Sequence, residues 1–108
     1  MVMKAIFINA ENGTVTDIEM GNDLQSFYNV IKCDLIECIR LNVSHDLVID
    51  EEGTLKQIPY GFSLPGLPFI HGNAVIVGVD NNNGKFVSVN KKLKADFFRQ
   101  YIKFYEMA

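Results

Sequence analysis

The sequence predicts an α+β fold: a mainly antiparallel sheet of about six to seven strands built from hairpins, one short helix after the first hairpin, and an amphipathic C-terminal helix. Three observations predict it. Turn-forming clusters at Asn12-Gly13, Asp50-Glu51-Glu52-Gly53 and Asn81-Asn82-Asn83-Gly84 separate strand-like segments, and hairpins place neighbouring strands antiparallel. Leu24, Phe27, Tyr28 and Ile31 recur at the spacing of one helical face. Leu93, Phe97, Tyr101 and Phe104 form a second such stripe, with Phe98 and Tyr105 beside it and lysines and an arginine around it.

Taken in order, Val2–Asn9 carries Ile6 and Ile8 on one parity and pairs with Thr14–Met20 across Asn12-Gly13. A helix from about Asp23 to Lys32 follows, with Asn22 or Asp23 placed to cap its first amides. Leu35–Leu41 has apolar residues on both parities, which suggests a strand covered on both faces. Asn42–Asp46 reads as a turn, Leu47–Ile49 as a strand, and Thr54–Ile58 as a short return strand. Gly53 suits a left-handed position between them. Asn73–Asp80, with Ala-Val-Ile-Val-Gly-Val inside it, is the most buried strand by composition, and Lys85–Val89 is its hairpin partner. Asn90 can cap a final helix over 91–107.

Between these elements lies Pro59–Gly72, which holds all three prolines of the chain. Long loops in compact domains are often functional. This one is apolar, with Phe62, Leu64, Leu67, Phe69 and Ile70, so it packs down or waits for a partner.

A chain of 108 residues is expected to be a single domain. Its 48% hydrophobic and 21% charged residues are those of a globular protein, which excludes intrinsic disorder. No apolar run approaches the roughly 20 residues that span a bilayer, and the N-terminus lacks a secretion signal. A cytoplasmic location and no membrane partner follow as expectations. Cys33 and Cys38 make no disulfide framework and read as buried small hydrophobes. With only His45 and His71 to join them, they give no metal pattern. Charge is uneven: residues 1–84 carry −7 and residues 85–108 carry +4, for a total of −3. Net acidity argues against duplex nucleic acid as a partner.

Candidate chemistry is sparse. Asp50, Glu51 and Glu52 read as a solvated hairpin tip. Arg40 sits between Ile39 and Leu41, where it pairs with Glu37 or Asp34 or points into a cleft as an anion binder. Histidine is the side-chain type whose ordinary pKa lies near neutrality, yet neither His45 nor His71 has a nucleophile or acid in a catalytic order. No glycine-rich phosphate loop is present. These residues predict no enzyme, no metal and no cofactor.

Three stretches carry a resemblance: Ile36-Glu37-Cys38-Ile39-Arg40-Leu41, Asp50-Glu51-Glu52-Gly53-Thr54-Leu55-Lys56-Gln57-Ile58-Pro59, and Ile70-His71-Gly72-Asn73-Ala74-Val75-Ile76-Val77-Gly78. With Met3-Lys4-Ala5-Ile6 before them, they resemble the domain of unknown function 3846 family of small phage and mobile-element proteins over about residues 3–80. Tyr60-Gly61 departs from the family pattern, which tends to place Asn after the Pro, and the segment 91–107 has no counterpart in that pattern. The resemblance implies a phage or prophage source and carries over no catalytic residue.

By analogy with that source, the expected function is a non-catalytic anti-defence binder in the host cytoplasm that sequesters a small anionic, nucleotide-type ligand. Tyr60, Phe62, Phe69 and His71 would stack on a base, and Arg40, Lys56 and Arg99 would hold phosphate. Such pockets often form between subunits, so a homo-oligomer is expected. The alternative is a protein–protein inhibitor or adaptor acting through loop 59–72 or the C-terminal helix.

Overall fold

A computed structural model describes residues 2–106. Val2–Asn9 (β1) and Thr14–Gly21 (β2) pair along their whole length, from Val2 opposite Gly21 to Asn9 opposite Thr14. The strand alternation sends Ile6 and Ile8 to one face of this ribbon and Met3 and Ala5 to the other. Leu24–Ile31 (α1) buries Phe27 and Ile31, and Lys32 closes it in the left-handed conformation by donating its N–H to the Tyr28 carbonyl at 2.8 Å. Asp23 occupies the N-cap position, but its carboxylate accepts the Ser26 hydroxyl at 2.6 Å instead of a backbone amide.

Ile36–Asn42 (β3) and His45–Asp50 (β4) form the next hairpin. Ala74–Asp80 (β7) is the buried central strand, as its composition predicts, and Lys85–Val87 (β8) turns back on it. The large sheet runs β2-β1-β7-β4-β3 with every pairing antiparallel. β1 pairs with residues 74–76 of β7, and β8 takes over the same edge from Gly78 onward, because β4 holds the opposite edge from Ala74 to Gly78.

The segment Pro59–Gly72 packs down. It contributes Tyr60–Ser63 (β5) and Ile70–His71 (β6) to a second sheet of order β6-β5-β9, with Phe62, Leu64 and Ile70 buried. Its third strand, Lys103–Glu106 (β9), follows the short helix Ala95–Arg99 (α2). The layers follow from alternation in β1, β4 and β7. Met3, Ala5, Val48, Val75 and Val77 meet α1 on one face. Ile6, Ile8, Leu47, Ile49 and Ile76 meet the small sheet and α2 on the other.

Several expectations are corrected. The C-terminal helix is only Ala95–Arg99; the segment then extends as β9 because the edge of β5 offers it backbone partners, and residue 107 lies outside the described residues. Residues 54–57 form turns, not a strand, with Gln57 at φ 53. Gly53 does not have positive φ; it is needed because a Cβ there would press on the His71 carbonyl oxygen. β3 lies at the sheet edge, so Glu37, Cys38 and Arg40 are exposed and only Cys33 of the two cysteines is buried. Burial pushes the Cys33 thiol up to about 11. Asp50 is buried, unlike a solvated turn residue, and His45 is buried at the start of β4 rather than lying in a turn.

Candidate functional site

The C-terminal segment shapes a cleft lined largely by apolar and aromatic residues. Ala95, Phe98 and Ile102 recur at i, i+3 and i+7 and enter the core. Three hydrogen bonds to β2 hold this segment down: the Ala95 N–H donates to the Asp17 carboxylate at 3.0 Å, and Arg99 donates twice to the Val15 carbonyl. Fixing that face turns Phe97 and Tyr101 outward, at 49% and 46% exposure, with ring centres 5.4 Å apart. They line a groove of about 400 Å³ with Leu41, Leu64, Pro65 and Leu93.

His45 is a polar member of this groove. Its Nε2 accepts the Asn90 N–H at 3.1 Å, which assigns the proton to Nδ1, where the Asn42 carboxamide oxygen accepts it at 3.1 Å. Burial holds the His45 pKa below the ordinary histidine value, against an opposing pull from Asp46. The ring is therefore neutral and fixed at pH 7.

Leu93 also lines the neighbouring cleft, of about 560 Å³, whose wall carries Lys4, Lys91 and Lys94 together with Asp17 and Glu19. Asp17 is occupied by the Ala95 amide. The two clefts thus meet at Leu93: one side is apolar and aromatic, the other rich in lysine.

The residues expected from sequence to hold an anion do not converge. Arg40 pairs with Asp46 at 2.7 Å and donates to the Val43 carbonyl and Asn81, tying the β3–β4 hairpin. Arg99 is committed to Val15 and Asp96. Lys56 pairs at 2.9 Å with the buried Asp50. Phe62 is fully buried core. Tyr60 lines a separate cleft beside Glu11 and Glu106, and burial raises the pKa of its phenol. Only Phe69 and His71 come together, ring centres 4.9 Å apart, with Tyr105 5.4 Å from Phe69.

Sequence reasoning placed lysines around the Leu93, Phe97 and Tyr101 stripe, but did not show that two clefts meet at Leu93. A signal was present: Leu93, Phe97 and Tyr101 form one stripe and Ala95, Phe98 and Ile102 another, and it is the second that enters the core while Phe97 and Tyr101 stay exposed.

Among the described residues no helix is long and apolar enough to cross a membrane. No curated protein and no solved structure matches the chain. A family model does, described as a domain of unknown function (DUF3846), and it matches residues 3–102. The match runs past residue 80 through α2 to residue 102, so residues 91–102 fall within the family pattern rather than being an addition to it. The chain belongs to the DUF3846 family.

Proposed function

We propose that the protein is a non-catalytic adaptor or inhibitor that docks an acidic partner protein across Leu93. Phe97 and Tyr101 receive an apolar or aromatic side chain in the groove, and Lys91 and Lys94 receive flanking carboxylates. The observation that carries this reading is the paired exposure of Phe97 and Tyr101 beside an apolar groove in a chain that is otherwise acidic. Aromatic anchors with a charged rim are the usual composition of a docking surface. The family resemblance to phage proteins suggests a host or defence enzyme as the partner.

A second reading is favoured by the lysine-lined cleft: a small anionic ligand of nucleotide type, held by Lys4, Lys91 and Lys94. It requires different residues from those the sequence suggested, since Arg40 and Arg99 are engaged elsewhere.

The test is an NMR titration with a blocked peptide alternating aromatic and acidic residues, alongside its lysine-substituted counterpart. The acidic peptide is expected to shift the Leu93, Phe97 and Tyr101 resonances in a saturable way, and Phe97→Ser with Tyr101→Ser should abolish this while the protein stays folded. Equal response to both peptides overturns the reading. A rise in melting temperature with a cyclic nucleotide, lost on Lys91→Gln and Lys94→Gln, would favour the small-ligand reading instead.

A further inference from the structure

Asn12-Gly13 and Asn83-Gly84 are the two Asn-Gly pairs of the chain. Each lies at a hairpin tip, the first between β1 and β2 and the second between β7 and β8. All four residues are exposed, and the two glycines have nearly the same backbone, at φ 70 and 72. An asparagine followed by glycine is open to an intramolecular reaction. With no Cβ in the way, the next backbone nitrogen can swing onto the side-chain carbonyl carbon. The two sites differ in how these atoms are held.

At the second hairpin the Gly84 N–H donates to the Asp80 carbonyl at 2.6 Å. The Asn83 carboxamide oxygen accepts the Lys85 N–H at 2.9 Å. The nitrogen that would attack is thus engaged, and the side chain it would attack is fixed by its own bond. At the first hairpin the anchoring bonds fall upstream. The Ala10 N–H donates to the Asn73 carboxamide oxygen at 2.8 Å, and the Asn12 N–H donates to that of Asn9 at 3.0 Å. Past that point the turn is untied: neither the Gly13 N–H nor the Asn12 side chain makes a hydrogen bond among the described residues.

We infer that Asn12 is a modification site, the residue at which the folded chain deamidates, while Asn83 is protected. The Gly13 backbone nitrogen attacks Cγ of Asn12 and a C–N bond forms. The side-chain nitrogen leaves as ammonia, carrying the proton that the Gly13 amide gives up. Water then opens the resulting cyclic imide at one carbonyl or the other. One opening yields aspartate; the other yields isoaspartate, in which the main chain runs through the former side chain. Water is the one co-reactant. Both products place a carboxylate in the cleft that Asn12 and Gly13 share with Glu11, Tyr60, Tyr105 and Glu106. The isoaspartyl form also lengthens the main chain beside β9, where a Cβ added at Gly13 would lie 3.8 Å from the Phe104 ring. This cleft shares no residue with the two that meet at Leu93, so the site does not depend on the adaptor reading.

The experiment ages the full chain in mildly alkaline buffer, with a parallel sample unfolded in urea. Peptide mapping by mass spectrometry follows the mass gain at each asparagine, and chromatography separates aspartyl from isoaspartyl peptides. In the folded chain Asn12 is expected to convert about tenfold faster than Asn83, the factor that hydrogen bonds of ordinary net strength impose on the tied site. In urea both hairpins are undone and the two rates should converge. Asn12→Gln should remove the fast conversion and leave the slow one at Asn83 unchanged. Equal rates in the folded chain, or faster conversion at Asn83, overturn the inference. So does a preference for Asn12 that survives in urea, since neighbouring sequence rather than the hairpin bonds would then set it.

Discussion

Arg99 donates from both Nε and Nη2 to the carbonyl oxygen of Val15, at 3.0 and 2.7 Å. Val15 lies in β2, the edge of the large sheet. Open edges invite pairing with another chain, and proteins commonly blunt them with charge or cover. The guanidinium does both here, which is why this arginine serves the fold rather than an anion.

Replacing Arg99 with methionine therefore should have two effects. Stability falls by about 1 kcal/mol, the usual net worth of such hydrogen bonds. The freed carbonyl also raises self-association through β2. Urea unfolding reads the first effect and sedimentation velocity the second; a variant that loses stability without associating more would show that β2 is protected by α2 alone.

Lys56 and Asp50 give an asymmetric pair of outcomes. The Asp50 side chain is 1% exposed and that of Lys56 is 35% exposed. Lys56→Met strands a buried carboxylate and should cost about 2 kcal/mol, below the range for fully buried pairs because water still reaches Lys56. Adding Asp50→Asn to Lys56→Met should recover part of that loss. Chemical denaturation of the single and double variants measures the difference.

His45 makes stability depend on pH in a defined direction. Its folded pKa lies below the unfolded value of 6.5, chiefly through burial. Above that value both states are neutral and the contribution is fully present. As pH falls below it, the unfolded chain takes up the proton first, so stability declines until the folded pKa is passed. Protonating Nε2 would also remove the acceptor for the Asn90 amide. Urea midpoints between pH 7.5 and 5 should show this fall, and His45→Gln should flatten it whatever it does to the midpoint itself.

Phe62 separates a core role from a ligand role. It is 0% exposed and sits among Ile6, Ile8, Leu47 and Ile76. Phe62→Ala should lower stability by about 4 kcal/mol, and Phe62→Leu by much less. The leucine variant, being folded, should bind the acidic peptide as the native chain does; a specific loss of binding there would return Phe62 to the functional surface.

The sequence was informative where local chemistry decides. Asn12-Gly13 and Asn81–Gly84 mark real hairpins, and the Phe27–Ile31 face of α1 is buried as its spacing indicates. It was less informative where a distant partner decides. Tyr101, Phe104 and Tyr105 have helical spacing, yet Lys103–Glu106 becomes strand because β5 offers Tyr60–Ser63 to it; tertiary pairing overrides weak local preference. Edge position is also invisible in a short strand, so Ile36 and Ile39 looked doubly covered while Cys38 and Arg40 in fact face solvent. The site suffered the same way. Cations such as Arg40 and Arg99 look available in a sequence because their internal acceptors, Asp46 and the Val15 carbonyl, are revealed only by folding. Of the expected ligand residues only Phe69 and His71 meet, because β6 carries His71 and the residue just before the strand carries Phe69.

The pairing of Ser63 with Lys103 sets an order of events during folding. The hairpins β1–β2, β3–β4 and β7–β8 can zip locally, whereas β5–β9, like β1–β7, joins segments far apart in the chain. Closing so long a loop is entropically slow. Until it closes, Phe62 and Ile70 lack the β9 side of their cover. Amides of β5 and β9 should therefore exchange with deuterium sooner than those of β7, and crowding or chaperone capture should act on that interval rather than on the finished protein.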